Sequence, residues 1–250
     1  MRYCSLVLLK SPALVNDYGR GLGHVKNFLD AAHSSSYLVP EEYLSKRLDR
    51  LTERNGSLSA VYFGSLTEYK GLDRMIRAVA HLKSWGEHAI TLTIIGVGEQ
   101  REALVALVRE LSVADQVKFI GAIPYGSELF RELRDHDVLL ATPLSPDTPR
   151  NALDAMASGL PIIAFDISYY RDLSELSGAV VLTPWLDERR LAEALLSLAR
   201  DQSTLKTLSA SARIFAAQNT QEAWLATRAE WTRTYCLPTD RKQPSGAGSS

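Results

Sequence analysis

The chain has 250 residues, 46% hydrophobic and 23% charged, with a formal net charge of −1, which suits one large water-soluble domain, with or without an appendage. Lys and Arg are scattered rather than gathered in a stripe, which argues against a nucleic-acid partner, and no apolar run reaches the roughly 18 residues of a membrane span. The two cysteines, Cys4 and Cys236, form no metal or redox spacing, so a reducing cytoplasm is the expected location.

Residues 5–9 read as a core strand, because Lys10 cuts the apolar run short of a signal peptide and no small-residue cleavage pattern follows. Gly19, Gly21 and Gly23 mark a turn, Asn27-Phe28-Leu29 is a further apolar piece, and a charged helix is expected over residues 41–54. Residues 1–58 are too few for a core of their own, and they read as the remnant or end of a preceding domain plus its linker. From residue 59 onward strands and helices alternate. Strands are expected at residues 60–64, 91–96, 117–120, 138–142, 161–165 and 179–182. Helical patterns fall at residues 72–85, 100–112, 127–135, 149–158 and 170–176, followed by 188–200, 204–217 and 221–235. Strands that are apolar throughout, set between amphipathic helices, imply a parallel sheet covered on both faces. The fold class over residues 59–237 is therefore α/β, a doubly wound, Rossmann-like sheet, and residues 238–250, ending GAGSS, have the composition of a disordered tail.

The most informative stretch is residues 142–166, TPLSPDTPRNALDAMASGLPIIAFD. Thr148 is placed to cap a helix, Pro149 stands where a first-turn N–H has no partner, and Gly159 with Pro161 ends it. Backbone N–H groups at Arg150, Asn151 and Ala152 would then face the carboxyl end of a strand, where open α/β sheets bind ligands and a helix start favours phosphate. Lys70, just before Gly71 at another helix start, is either an anion ligand or a solvated loop lysine, and Arg150 poses the same choice. Asp154, one turn into an apolar helix, needs a partner or a ligand's hydroxyls, and a ribose diol supplies two donors to its two oxygens. Asp147 is a possible helix cap. Gly64, Gly96 and Gly98 are turn formers or points where a ligand meets backbone; Arg101 occupies the place of the dinucleotide fingerprint's third glycine. Tyr169 and Tyr170 either line a sugar pocket or close the core, and the tryptophans read as packing residues. The five histidines show no ligand spacing and there is no Asp-x-Asp cluster, so no metal site is expected.

Four segments together resemble glycosyltransferase family 4, nucleotide-sugar-dependent enzymes built from two facing Rossmann-like domains, the GT-B architecture. They are Phe63-Gly64-Ser65-Leu66-Thr67-Glu68-Tyr69-Lys70-Gly71, Ile94-Ile95-Gly96-Val97-Gly98-Glu99, Val117-Lys118-Phe119-Ile120-Gly121-Ala122-Ile123, and the run from Thr148 to Pro161. The match covers residues 60–235 and corresponds to the family's C-terminal, donor-binding half. The resemblance implies a nucleoside diphosphate sugar donor and no further cofactor. It implies transfer of a hexosyl unit, with retention, to a saccharide, lipid-linked or small-molecule acceptor. It further implies that the acceptor domain, a possible point of peripheral membrane contact, is missing upstream. Lys70 corresponds to the phosphate-binding lysine, Asp154 to the second member of the paired acidic motif, and the base falls near Gly121 to Ile123. The chain departs from the family pattern at Ser65 in place of an arginine, at Pro146 in place of the first glutamate, at Ser168-Tyr169-Tyr170 in place of a glycine-rich loop, and at Asp172 in place of a glutamate. Asp147 and Arg150 stand where they could compensate for a lost acid and a lost cation. The expected catalytic groups are Lys70 and Arg150, and the expected donor contacts are Gly64, Lys70, Gly98, Ile123, Asn151, Ala152 and Asp154. The alternative is a non-catalytic donor-binding half-domain or interaction module that needs a separate acceptor-domain partner.

Overall fold

A computed structural model describes residues 3–50 and 56–237. Six apolar segments form one parallel sheet: β3 (Leu58–Phe63), β4 (Ile90–Ile95), β5 (Val117–Gly121), β6 (Val138–Ala141), β7 (Ile162–Phe165) and β8 (Val180–Thr183). Their spatial order is β5-β4-β3-β6-β7-β8, so the chain winds outward one way from β3 and then returns to start the other way from β6. Such a reversal leaves a crevice at the carboxyl ends of the two central strands, because their outgoing loops diverge to opposite faces.

Both faces are covered, which is why these strands lack polar alternation. Along β3, Ala60 and Tyr62 belong to one core cluster and Val61 and Phe63 to the other, as the two-residue period of a strand requires. The first face is packed by α3 (Leu72–Ser84), α4 (Arg101–Glu110) and α8 (Glu188–Arg200). The second is packed by α5 (Ser127–Leu133), α6 (Asn151–Ala157), α7 (Ser168–Ser177) and α9 (Gln202–Gln218).

The N-terminal segment holds β1 (Val7–Leu9), α1 (Pro12–Tyr18) and β2 (Val25–Asn27), with the two strands parallel, and then α2 (Glu41–Arg50). It is joined to the main sheet by side chains rather than strand pairing. Leu29 and Ala31 enter the α6/α9 core, and Val39, Leu44 and Leu48 enter the opposite one. Arg47 of α2 donates to the carbonyls of Ser158 (3.1 Å) and Gly159 (2.6 Å), satisfying acceptors at the C-terminal end of α6, and the Val39 amide donates to Ala157 O (2.7 Å). The last helix, α10 (Gln221–Cys236), returns to this segment: Trp224 meets Phe28 edge-on and the Tyr235 hydroxyl donates to Gly23 O (2.9 Å).

Several local expectations change. Helix α1 falls where only a strand and a turn were expected, although Ser11 caps it by accepting from the Leu14 amide and Pro12 opens it, a readable start signal. Helix α6 begins at Asn151, and Thr148 does not cap it. Instead Asp147 Oδ1 accepts from the Thr148 amide (2.9 Å) and the Tyr169 hydroxyl donates to Pro149 O (3.2 Å), so side chains hold residues 147–149 outside the helix. At seven residues α6 is short, so its dipole contributes less to an anion site than the sequence suggested. The expected continuation of α2 through residues 51–54 and the expected tail at residues 238–250 lie outside the described residues.

Candidate active site

The crevice at the β3/β6 reversal is a cleft of about 770 Å³, within the range of small-ligand sites. Its walls come from the loop after β3 (Gly64, Ser65, Lys70), the start of α6 (Pro149, Arg150, Asn151, Asp154), Tyr125 before α5, and Ser34, Tyr37 and Gln221 from the chain ends. A second, more apolar hollow of about 420 Å³ continues from it past Phe63, Gly64, Ser65 and Tyr125, and Ile95, Gly96, Val97, Ala122, Ile123 and Leu129 complete it. A polar end and an apolar end therefore meet at Tyr125.

The floor is fixed by backbone contacts. Asn151 Nδ2 donates to Phe63 O (2.7 Å), which ties the β3 exit to α6, and the Tyr62 hydroxyl donates to Ser65 O (2.8 Å), which fixes the loop that follows β3. Gly71 has φ +65, and a Cβ there would lie 2.0 Å from Thr142 O, so only glycine lets the Lys70 turn seat against the β6 exit. Gly98 has a different role from the one expected. A Cβ on it would lie 2.4 Å from Leu66 O, so it packs loop against loop, and it does not line either hollow. Ala152 is likewise fully buried in the core beneath the cleft.

At the polar end Lys70 Nζ donates to Asp147 Oδ2 at 2.5 Å and lies 4.8 Å from the Tyr69 ring centroid. The lysine is thus neither solvated nor unpaired: Asp147 already meets its charge, and Asp147 is not the cap of α6. An ammonium carries three donors, so two remain for a ligand. Among the described residues no hydrogen bond or salt bridge engages the Arg150 guanidinium, which also lines the cleft and is exposed.

Asp154 faces the same cleft with its side chain nearly buried. Burial pushes its carboxyl up to about 7; the Tyr125 hydroxyl (3.2 Å), the Arg150 charge and the His33 backbone amide pull the other way without cancelling it. The His33 ring, fully buried, lies with Nδ1 3.8 Å from Asp154 Oδ1 while Nε2–H donates to Ala216 O (3.0 Å). Burial holds the imidazole below its ordinary range. Tyr125 packs edge-on to Tyr37 and Phe130, which stack at 4.5 Å, and burial raises its hydroxyl pKa.

Of the expected site residues, Gly64, Lys70, Arg150, Asn151 and Asp154 line the cleft and Ile123 lines the apolar hollow. Tyr169 and Tyr170 are buried in the α6/α7 core, which decides for the packing alternative. Asp172 accepts from the Ala13 amide (3.0 Å) and so braces α1. His33, Tyr37 and Tyr125 were not singled out from the sequence as site residues. Pro124-Tyr125-Gly126, a turn directly after a strand's carboxyl end, was the available signal for Tyr125. Among the described residues no group of three or more His, Cys, Asp or Glu is placed to hold a metal, and no helix is long and apolar enough to cross a membrane.

A cleft of this kind, at the reversal of a doubly wound sheet with cations at one end and a buried acid beside them, defines an α/β protein of the doubly wound, Rossmann-like class. The chain belongs to the glycosyl transferases group 1, whose family profile matches residues 47–215. It is 31% identical over 182 residues to the amylovoran biosynthesis glycosyltransferase AmsK of Erwinia amylovora, a match covering 70% of this chain and 44% of that one. It is 30% identical over 169 residues to the putative colanic acid biosynthesis glycosyltransferase WcaL of Salmonella typhimurium, covering 65% and 41%. The chain thus spans less than half the length of these curated relatives. Its fold is similar to that of Anabaena Alr3699/HepE in complex with UDP, with a TM-score of 0.74 at 20% identity over 93% of this chain and 64% of that one.

Proposed function

We propose that this chain is the donor-binding half of a glycosyltransferase that moves a hexosyl unit, with retention, from a nucleoside diphosphate sugar to a saccharide, lipid-linked or small-molecule acceptor in the cytoplasm. The observation that carries this reading is the arrangement of Lys70, Arg150 and Asp154 around one cleft at the β3/β6 reversal, beside an apolar hollow. As the bond from the sugar's anomeric carbon to the diphosphate oxygen breaks, negative charge builds on the leaving diphosphate. Lys70 and Arg150 are the cations within reach of that charge, and a low-dielectric cleft strengthens their effect. Asp154 accepts the ribose hydroxyls, and the hollow lined by Ile123 takes the base.

A second reading, a donor-binding module without transfer activity of its own, is favoured by two observations. Ser65 replaces the arginine of the first loop, and Asp147 already neutralises Lys70. Calorimetry with UDP, GDP and ADP tests the shared claim, and absence of binding by all three at millimolar concentration sinks both readings. Donor hydrolysis or transfer by the protein then separates them: turnover supports the enzyme, while binding without turnover supports the module.

A further inference from the structure

We propose that His33 is the positioning residue for Asp154, and that its Nδ1 takes up the Asp154 proton when nucleotide hydroxyls claim that carboxylate. The inference rests on the reading that Asp154 receives the ribose diol. His33 comes from the N-terminal segment, more than a hundred residues upstream of α6, yet it approaches Asp154 by both its backbone amide and its ring. The ring cannot rotate away freely. Nε2–H is committed to Ala216 O of α9, and the His33 carbonyl accepts from the Gln221 amide at the start of α10 (2.9 Å). That commitment fixes the neutral tautomer with the lone pair on Nδ1. Nδ1 is buried, has no hydrogen-bond partner, and points at a carboxyl. A buried acceptor without a donor is costly, and the nearest proton is the one on Asp154.

The remaining groups around the pair favour the same exchange. Tyr125 donates to Asp154, the Arg150 charge stabilises its ionised form, and Glu222 of α10 favours a charged His33; the Tyr169 hydroxyl, its pKa raised by burial, stays neutral. Two hydroxyls donating to Asp154 supply the carboxylate with the hydrogen bonds that burial had denied it. The Asp154 O–H bond then breaks, the Nδ1 lone pair forms the new N–H bond, and an imidazolium stands against a carboxylate with no change in total charge. Shortening 3.8 Å to hydrogen-bond length takes a movement of about 1 Å.

The test is calorimetric titration of the protein with UDP, or with GDP or ADP if one of those binds more tightly, at pH 7 in buffers of different ionisation enthalpy, which counts protons released. In His33→Leu and His33→Asn the ring acceptor is gone, so both variants are expected to release more protons than wild type: about half a proton more in His33→Leu, because a carboxyl with a pKa near the working pH is about half protonated, and a smaller excess in His33→Asn, whose amide favours the carboxylate before nucleotide binds. The phosphates' own protons cancel in that difference. Affinity is expected to fall about tenfold in His33→Leu but to stay within about threefold in His33→Asn, whose amide restores a donor to Asp154. If Leu does not fold, the Asn variant alone carries the proton count. Equal proton release in wild type and variant, with the wild type still preferring the ribonucleotide over its 2′,3′-dideoxy form, overturns the role of His33 alone. Loss of that preference in the wild type instead overturns the ribose assignment of Asp154 and the proton exchange with it.

Discussion

Two carboxylates serve the same cleft in opposite ways, Asp154 in its wall and Asp147 through its pair with Lys70. Asp147 sits against an ammonium at 2.5 Å with part of its side chain exposed, whereas Asp154 is buried without a salt-bridged cation and titrates near neutrality. The difference shows that the immediate partners of an acid, and not its place near a cleft, decide what it can do there. Asp147 is paired with a lysine, while desolvation keeps Asp154 partly protonated until something donates to it. The cleft therefore has an ion pair at the Lys70 end and a conditionally charged acid at the Asp154 end.

The largest expected effect that sharpens this contrast is on folding stability. The Asp154 carboxyl is raised from 3.8 to about 7 in the folded chain, so between those values the native state holds a proton that the unfolded state has lost. Stability relative to Asp154→Asn is thus greatest below pH 3.8 and falls as pH rises to about 7, by up to about 1.4 kcal/mol per pH unit. Chemical denaturation of both proteins across that range checks it, and a gap independent of pH breaks the contrast. Next in size, Lys70→Ala is expected to lower donor turnover by about a hundredfold while leaving the circular dichroism spectrum unchanged. A third effect concerns recognition of the diol. Preference for a ribonucleotide over its 2′-deoxy form, about tenfold, is expected to hold from pH 6 to pH 8 in the wild type, where His33 takes the Asp154 proton, to grow over that range in His33→Leu, where the proton must leave, and to vanish in Asp154→Asn. The smallest effect belongs to Asp147→Asn. Releasing Lys70 should tighten diphosphate binding a few-fold at low salt, with the gain fading as ionic strength rises and stability changing by about 1 kcal/mol or less.

The sheet was legible because its strands are buried on both faces, and unbroken apolar runs such as Val138-Leu139-Leu140-Ala141 have few alternative readings. The N-terminal segment was harder: β1 and β2 are three residues each, too short for a period to register, and Ser11-Pro12 passed unread as a helix start. Within the cleft, Lys70, Arg150 and Asp154 could be picked out because each is a charge placed against its local pattern. His33 and Tyr125 could not, since their meaning lies in Asp154, distant in sequence, and no spacing rule reaches that far. Gly98 shows the converse error, a glycine whose necessity is the Leu66 backbone beside it rather than a ligand.

The grip of the N-terminal segment on α6 has a mechanical consequence. Arg47 and the Val39 amide hold the helix at its C-terminal end and the His33 ring lies 3.8 Å from Asp154 at its middle, so one upstream stretch meets a seven-residue rod at two points. A shift of that stretch therefore changes the surroundings of Asp154 and the end of α6 together.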